Sequence, residues 1–457
     1  MISKIDNSNA LQYSLLLGIT IFAAAVRIYK IREWGFWIDE IYTIQRATSD
    51  LGSLFIPLST RLISFTLELA GSDEFGARLM PGVIGLLSIP VFFFPIRKVT
   101  GATTALLAVL LLALSPWHLF WSQNARFYTA LMLFYGLASL CIFIWLESGN
   151  FWYFLLSFVL LAFAILERGV ALFIFPVVAV YVVAVLILPV EKPPGLHWRN
   201  LLLFLVPILG IALIVVFATG NIYSFFTQIV GHQHNPIRVF LGVVYDVGLP
   251  LFLLAISGGV FAAINKSRLG LFLLIGALVP LVILLIIAPF TQAFSRYVFH
   301  TLIIWIILGA MAIKMIIDNT PGKGKYLALG VALLLLADSF SQDVLYFGFQ
   351  NGNRENFRGA FEVISKEREA DDLVVSGWPE IGTYYLQDEV LNAHEVSIDE
   401  IQNGPHKVWF VVDNRSGFPS NLQAWIEANS RFIAVRDVYL PGKLLMMRVF
   451  VYTPGHK

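Results

Sequence analysis

The chain has 457 residues, 58% of them hydrophobic and only 13% charged, with a mean hydropathy of +0.76; soluble domains carry about 25% charged residues. Its formal charge of +1 leaves no basic footprint for nucleic acid. The single cysteine, Cys141, excludes an internal disulfide framework and a cysteine-built zinc or iron–sulfur centre. What these numbers leave is a multispanning membrane protein.

A spanning helix needs about 20 mostly apolar residues. By that criterion about eleven spans are predicted, centred near Thr20, Leu87, Leu110, Tyr135, Leu160, Ala179, Pro207, Ala255, Pro280, Ile306 and Leu335. Residues 11–25 form the first; a cleavable leader is the alternative, because Ala23-Ala24-Ala25 resembles a small-residue cleavage site. Residues 27–78 then make a long outer loop with six basic and seven acidic residues. Within it, Ile38–Thr48 has a Trp-rich entry, an acidic pair and a helical apolar pattern at Ile38, Ile41, Tyr42 and Ile44. Residues 51–69 are apolar enough to lie along the membrane surface, so two interfacial helices are expected here. No fixed-period repeat interrupts the apolar body.

From Arg354 onward the character changes, with 26 of the 61 charged residues lying in this last stretch. The expected division is a transmembrane catalytic domain over 1–347 and a soluble domain over 348–457. In the latter, residues 356–369 and Ser420–Asn429 read as helices, and Leu373–Ser376 and 407–412 as buried strands. Residues 432–439 and 444–452 read as a final strand pair, which completes a small α/β domain.

Orientation follows from the loops. With Lys4 in the cytoplasm, alternate loops carry Arg97-Lys98, Lys192 with Arg199, Lys266 with Arg268, and Lys314 with Lys323 and Lys325; only the turn at 147–150 has no positive charge. That obeys the positive-inside rule and, with an odd number of spans, puts the C-terminal domain outside an inner or plasma membrane.

Ionisable residues near spans are costly and default to functional hypotheses. Here Asp39, Glu40, Arg78, His118, Arg126, Glu167, Arg168, His232, His234 and Arg296 all fall on the outer side of the derived topology. The cytoplasmic ends carry lone Lys and Arg and almost no such mixture. Arginine's planar fork pairs bidentately with phosphate and keeps its charge when desolvated. A carboxylate serves as general base on a hydroxyl. The set therefore suits group transfer from a phosphate-linked lipid at the outer leaflet, with arginines stabilising the leaving phosphate.

Specific motifs sharpen this. Trp37-Ile38-Asp39-Glu40, the run 72–81 ending Arg78-Leu79-Met80-Pro81, Ser115-Pro116-Trp117-His118 continuing through Ser122 to Tyr128, Arg296-Tyr297 and Asn356-Phe357-Arg358 occur in order. They resemble the GT-C superfamily, and within it the protein O-mannosyltransferases and lipid A aminoarabinose transferases. The resemblance covers most of residues 20–310. It implies a polytopic helical membrane enzyme that moves one sugar from a polyprenyl-phosphate donor to a lipid, glycan or protein hydroxyl, with inversion. Asp39 would be the catalytic base; Glu40, the other acid of the catalytic pair, would face elsewhere on the helix and hold the loop or a donor arginine; and Arg126, Arg78 and Arg296 would hold the donor phosphate. One departure stands out: the family often has Pro-Pro-Leu-Tyr after the first interfacial helix, and this chain has Ile56-Pro57-Leu58-Ser59.

Further candidates for substrate contact are His118, Asn124, Tyr128, Tyr297, and the pair Glu167-Arg168, which alternatively forms a salt-bridged cap. His232 and His234 are read as an acceptor site or, alternatively, a divalent-metal site; no other cofactor is implied. Two other functions compete with single-sugar transfer. One is an oligosaccharide or polysaccharide ligase; the other is a transporter, which would place its charges near the membrane midplane.

Overall fold

The computed structural model describes residues 2–49, 52, 56–206, 234–319 and 322–454. Ten of the eleven expected span centres fall on described helices; the eleventh, Pro207, lies outside the described residues. Among the described residues seven helices are long and apolar enough to cross a membrane, and two bent pairs raise that to nine. Phe151–Glu167, at 17 residues, is shorter.

The helices that frame the site are α1 (Ile2–Ile28), α2 (Ile38–Thr48), α3 (Leu58–Ala70), α4 (Glu74–Thr100), α5 (Ala102–Ala113), α6 (Pro116–Ser122) and α7 (Tyr128–Ser148). The first apolar stretch is one continuous helix built into the fold. Ala23 is fully buried, and the Arg27 guanidinium donates to the carbonyls of Leu112 and Ala113 at 3.3 and 3.1 Å. Between α5 and α6 the chain bends by 59°. Pro116 has no N–H to continue a helix, and Ser115 caps the new one by accepting from the His118 N–H at 3.4 Å. A second bend, of 94°, separates Pro236–Val247 from Leu249–Ile264. It turns at Gly248, whose φ of 89° favours glycine.

The polar groups sort into two sets. Arg268 pairs with Glu147 at 2.7 Å, and Arg97 donates to Tyr13 and Asn9. The mixed set of carboxylates and arginines lies elsewhere, where α2 meets the loop after α6.

Both expected interfacial helices form as α2 and α3, the second starting at Leu58. The C-terminal domain contains β1 (Leu373–Ser376), β2 (Leu391–Asn392), β3 (Val408–Asp413), β4 (Arg431–Val435), β5 (Val438–Leu440), β6 (Lys443–Leu445) and β7 (Met447–Tyr452). The sheet runs β2-β1-β3-β7-β4, with β1 parallel to β2 and β3, and β7 antiparallel to β3 and β4. Every residue of the central strand β3 is buried, as its apolar run implies. The final strand pair expected from sequence is broken in two. The Asp437 carboxylate accepts from the Met447 N–H and the Arg436 N–H donates to the Met447 carbonyl, each at 2.7 Å. Beyond that break, β5 and β6 leave the sheet as a separate hairpin.

The sheet's alternation builds two cores. Val375, Phe410 and Val412 face Leu422 and Ile426, whereas Val374, Trp409 and Val411 face Phe357 and Phe361. The second core continues into Phe36, Ile41, Ile44, Ile63 and Leu67, so α2 and α3 are clamped between the long apolar helices and the C-terminal domain. Tyr385 reinforces the junction, accepting from the Phe36 N–H at 2.6 Å and donating to Glu74 at 2.9 Å. Approach here is close: a Cβ on Gly35 would lie 2.8 Å from the Arg358 Cβ.

Candidate active site

Helix α2 carries the acidic pair in its first turn, where the helix dipole favours negative charge. Successive residues on a helix are about 100° apart, so Asp39 and Glu40 face different surroundings. Glu40 points inward and is fully buried. It accepts from Arg78 Nε and Nη2, both at 2.8 Å, and from the Ala125 N–H at 2.8 Å. Burial by itself would raise its pKa; the charges of Arg78 and Arg354, with those hydrogen bonds, hold it below the ordinary value.

Arg78 is equally buried, and its remaining N–H groups go to the carbonyls of Ile31 and Trp34 from Nη1 and of Gly35 from Nη2. All five guanidinium N–H donors are used. The expectation that Arg78 holds a phosphate is therefore corrected: it has no donor left and no exposure. Glu40 is spent in the same way, as a clamp that ties α2 and α4 to the loop at Ala125, and is not free to act as a reacting group.

That clamp sets the position of the next residue. Arg126 Nη1 donates to the Asp39 carbonyl and the Thr43 hydroxyl, each at 2.9 Å, and its Nη2 lies 3.8 Å from the Asp39 carboxylate. Arg296, at the start of the helical segment Ser295–Thr301, reaches the same Oδ2 at 3.3 Å. Asp39, Arg126 and Arg296 thus converge, each about a fifth to a quarter exposed. Unlike Arg78, both arginines retain a buried Nε with no hydrogen-bond partner.

Beside this triad opens a cavity of about 350 Å³. Its membrane side is aromatic, with Trp37, Trp117, Phe120, Trp121 and Phe294; Arg296 and Asp246 add charge. Its opposite side is made by Arg354, Glu355, Arg415 and Lys443, at and within the C-terminal domain. Arg354, Arg415, Lys443 and Asp246 had no sequence signal beyond their charge, except that Arg354 follows the last span directly.

The motif from Ser122 to Arg126 is mostly scaffold. Gln123 donates to the carbonyls of Arg27 and Tyr29 and accepts from Tyr346 at 2.9 Å, and its own carbonyl accepts from Arg354. Asn124 is buried and accepts from the Trp37 indole at 2.8 Å, which seats that ring on the cavity wall. Tyr128 packs against Trp121 with ring centroids 3.9 Å apart and is buried behind it. Both support the wall without lining it. His118 is removed from the site altogether. It is fully buried, accepts from Arg27 at 2.6 Å and lies 3.3 Å from the Ser88 hydroxyl, joining α1, α4 and α6.

Glu167 does not pair with Arg168. It accepts from the Ser59 N–H at 2.9 Å and from the Ser59 hydroxyl, and so caps α3 across the chain. The departure at Ser59 is thereby explained, because a tyrosine has no short hydroxyl to meet this carboxylate. Arg168 stays exposed over the Phe127 ring, and Tyr297 sits beside Arg296 with its ring 5.8 Å from the guanidinium. His232 lies outside the described residues. His234 packs its ring against Phe294 at 4.8 Å, with Nδ1 buried and unpartnered. Among the described residues no group of three or more His, Cys, Asp or Glu is arranged to hold a metal.

Residues 57–219 match the family described as Dolichyl-phosphate-mannose-protein mannosyltransferase. No match was found among curated proteins. ArnT from Cupriavidus metallidurans, in its apo state, superposes with a TM-score of 0.64 at 15% identity, over 98% of this chain and 100% of ArnT. This is a GT-C fold. ArnT bound to undecaprenyl phosphate matches at a TM-score of 0.60 and 14% identity, over 97% and 99% of the two chains. The GT-C architecture extends to the Archaeoglobus fulgidus oligosaccharyltransferase, with a TM-score of 0.57 and 12% identity over 88% of this chain and 69% of that one. In this chain the polar convergence draws Asp39 from the first turn of α2, Arg126 from the loop after α6 and Arg296 from the start of the segment Ser295–Thr301.

Proposed function

We propose that this chain is a membrane glycosyltransferase that moves a single sugar from a polyprenyl-phosphate donor to an acceptor hydroxyl, with inversion. One observation carries the reading: Arg126 and Arg296 flank a part-exposed Asp39 with unspent N–H donors, whereas Arg78 nearby has spent all of its own. Asp39 takes the proton of the acceptor hydroxyl, whose oxygen attacks the anomeric carbon. The bond from that carbon to the phosphate oxygen breaks, and Arg126 and Arg296 stabilise the polyprenyl phosphate that leaves. ArnT crystallised with undecaprenyl phosphate lends the donor its chemistry. Residues 1–347 act as the catalytic membrane domain and 348–457 as an extracytoplasmic domain. The N-terminus is cytoplasmic, in an inner or plasma membrane, and the acceptor is a lipid, glycan or protein.

A second reading, transfer of a preassembled lipid-linked glycan, is favoured by the shared fold with the Archaeoglobus fulgidus oligosaccharyltransferase. Against it, the cavity of about 350 Å³ is at the lower end of small-ligand pockets. The deciding experiment gives purified protein in lipid nanodiscs a radiolabelled undecaprenyl-phosphate hexose with a crude envelope extract. Wild type transfers label, and Asp39→Asn transfers it about 10²–10⁴-fold more slowly. Equal transfer by the variant removes Asp39 as the base; label moving only from a diphosphate-linked oligosaccharide establishes the second reading.

A further inference from the structure

The reaction just described needs one anion-binding centre, yet the cavity carries two. At the membrane side Arg296 is balanced by Asp39. At the outer side stand Arg354, Arg415 and Lys443 with Glu355. Arg415 pairs with Glu355. Arg354 is 2% exposed and spends Nη2 on the Gln123 carbonyl at 2.7 Å, while its Nε and Nη1 have no partner. The carboxylate nearest in charge, Glu40, is already committed to Arg78 and the Ala125 N–H. A buried guanidinium with unmade hydrogen bonds is costly unless something is meant to complete them. Lys443 makes no ion pair among the described residues.

The backbone that presents these cations does little else. Arg415 rides on the turn after β3, where the Asp413 carboxylate accepts from the N–H groups of Arg415 at 2.7 Å and Ser416 at 2.6 Å. Lys443 opens β6 of the β5–β6 hairpin, which has left the main sheet and puts Leu440, Pro441 and Lys443 against the cavity. Asn414 pins that hairpin by donating to the Leu444 carbonyl and accepting from the Met446 N–H. The sheet would close without this excursion; the cavity would lose Lys443.

We propose that Arg354, Arg415 and Lys443 form a second anion subsite that takes a carboxylate or phosphate borne by the substrate in addition to the lipid phosphate. It rests on the reading of the cavity as the donor and acceptor site. Guanidinium and ammonium together suit either anion. The group belongs either to the transferred sugar, as in a uronic acid, or to the acceptor.

The test is direct binding by wild type and Lys443 variants in nanodiscs, with glucuronate and glucose 6-phosphate as probes and glucose as the neutral control. Wild type binds an anionic probe at least roughly tenfold more tightly than glucose. Lys443→Gln loses that preference, Lys443→Arg keeps it, and both bind undecaprenyl phosphate as wild type does. Lys443 is at the exposed rim, so folding is not at stake. The anionic probe still binds when undecaprenyl phosphate saturates the protein. If undecaprenyl-phosphate mannose then displaces it, the anion belongs to the transferred sugar; if both bind together, it belongs to the acceptor. No preference over glucose, an unchanged preference in Lys443→Gln, or displacement by undecaprenyl phosphate alone overturns the subsite. Failure of the broader reading looks different: undecaprenyl phosphate binding would be indifferent to Arg126→Gln, whereas the anion preference is measured without lipid donor.

Discussion

Neighbouring carboxylates with opposite duties give the sharpest test of the site. Glu40→Gln keeps the shape of the side chain but removes the charge that balances Arg78, in a place where both groups are fully buried. Three N–H donors converge on Glu40, from Arg78 Nε, Arg78 Nη2 and Ala125. An amide accepts through one oxygen only, so its NH₂ must face a guanidinium N–H. Removing one partner of a buried pair costs about 3–5 kcal/mol, because the other charge is left uncompensated. That should lower the apparent Tm in nanodiscs, followed by tryptophan fluorescence, by more than about 5 °C. Asp39→Asn removes a part-exposed carboxylate, whose pairs with Arg296 and Arg126 at 3.3 and 3.8 Å are worth about 1 kcal/mol or less. Its Tm should stay within about 2 °C of wild type while transfer collapses. If Glu40→Gln melts like wild type, or Asp39→Asn is the unstable one, the division of labour between the two acids is wrong.

The arginines follow the same logic. Arg126→Lys should weaken undecaprenyl-phosphate binding by roughly tenfold or more with little change in Tm, since a point charge loses the fork geometry; Arg78→Lys should lower Tm and leave lipid affinity in the surviving folded fraction unchanged, both read by titration and melting. Glu167→Ala strips the cap from α3 and should destabilise by about 1–2 kcal/mol, visible as faster proteolysis at the start of α3, with donor affinity preserved. In the C-terminal domain, burial pushes the Asp372 carboxyl up, but the Trp409 indole, the Glu369 N–H and Lys407 more than offset this and hold its pKa below the ordinary value. Such a group stabilises the folded state above its unfolded pKa and loses that contribution as pH falls through its lower native value. Acid unfolding followed by tryptophan fluorescence should therefore begin at higher pH in Asp372→Asn, which has lost the contribution at every pH. An unchanged acid limb would show that Asp372 does not matter there.

Sequence alone decided the environment and most of the secondary structure. Long apolar runs declare a lipid solvent because an unpaired backbone in hydrocarbon must become helix, and this signal is local. The same holds for α2, Leu373–Ser376 and Ser420–Asn429, whose bounds agree with their apolar patterns. The separation of Asp39 from Glu40 was half legible too, from helical spacing. What sequence could not decide was which polar groups are already spent. Arg78 and Arg126 look equivalent as letters near span ends; they differ because three carbonyls from the loop at 31–35 and the Glu40 carboxylate of α2 close around one and leave the other short of partners. His118 likewise reads as a site residue until Arg27, 91 positions away, takes its ring nitrogen. The cavity wall of Arg354 with Arg415 and Lys443 exists only once the C-terminal domain docks against the apolar helices. Hydrogen-bond saturation is a property of neighbours brought together from distant parts of the chain, and only the tertiary fold supplies them.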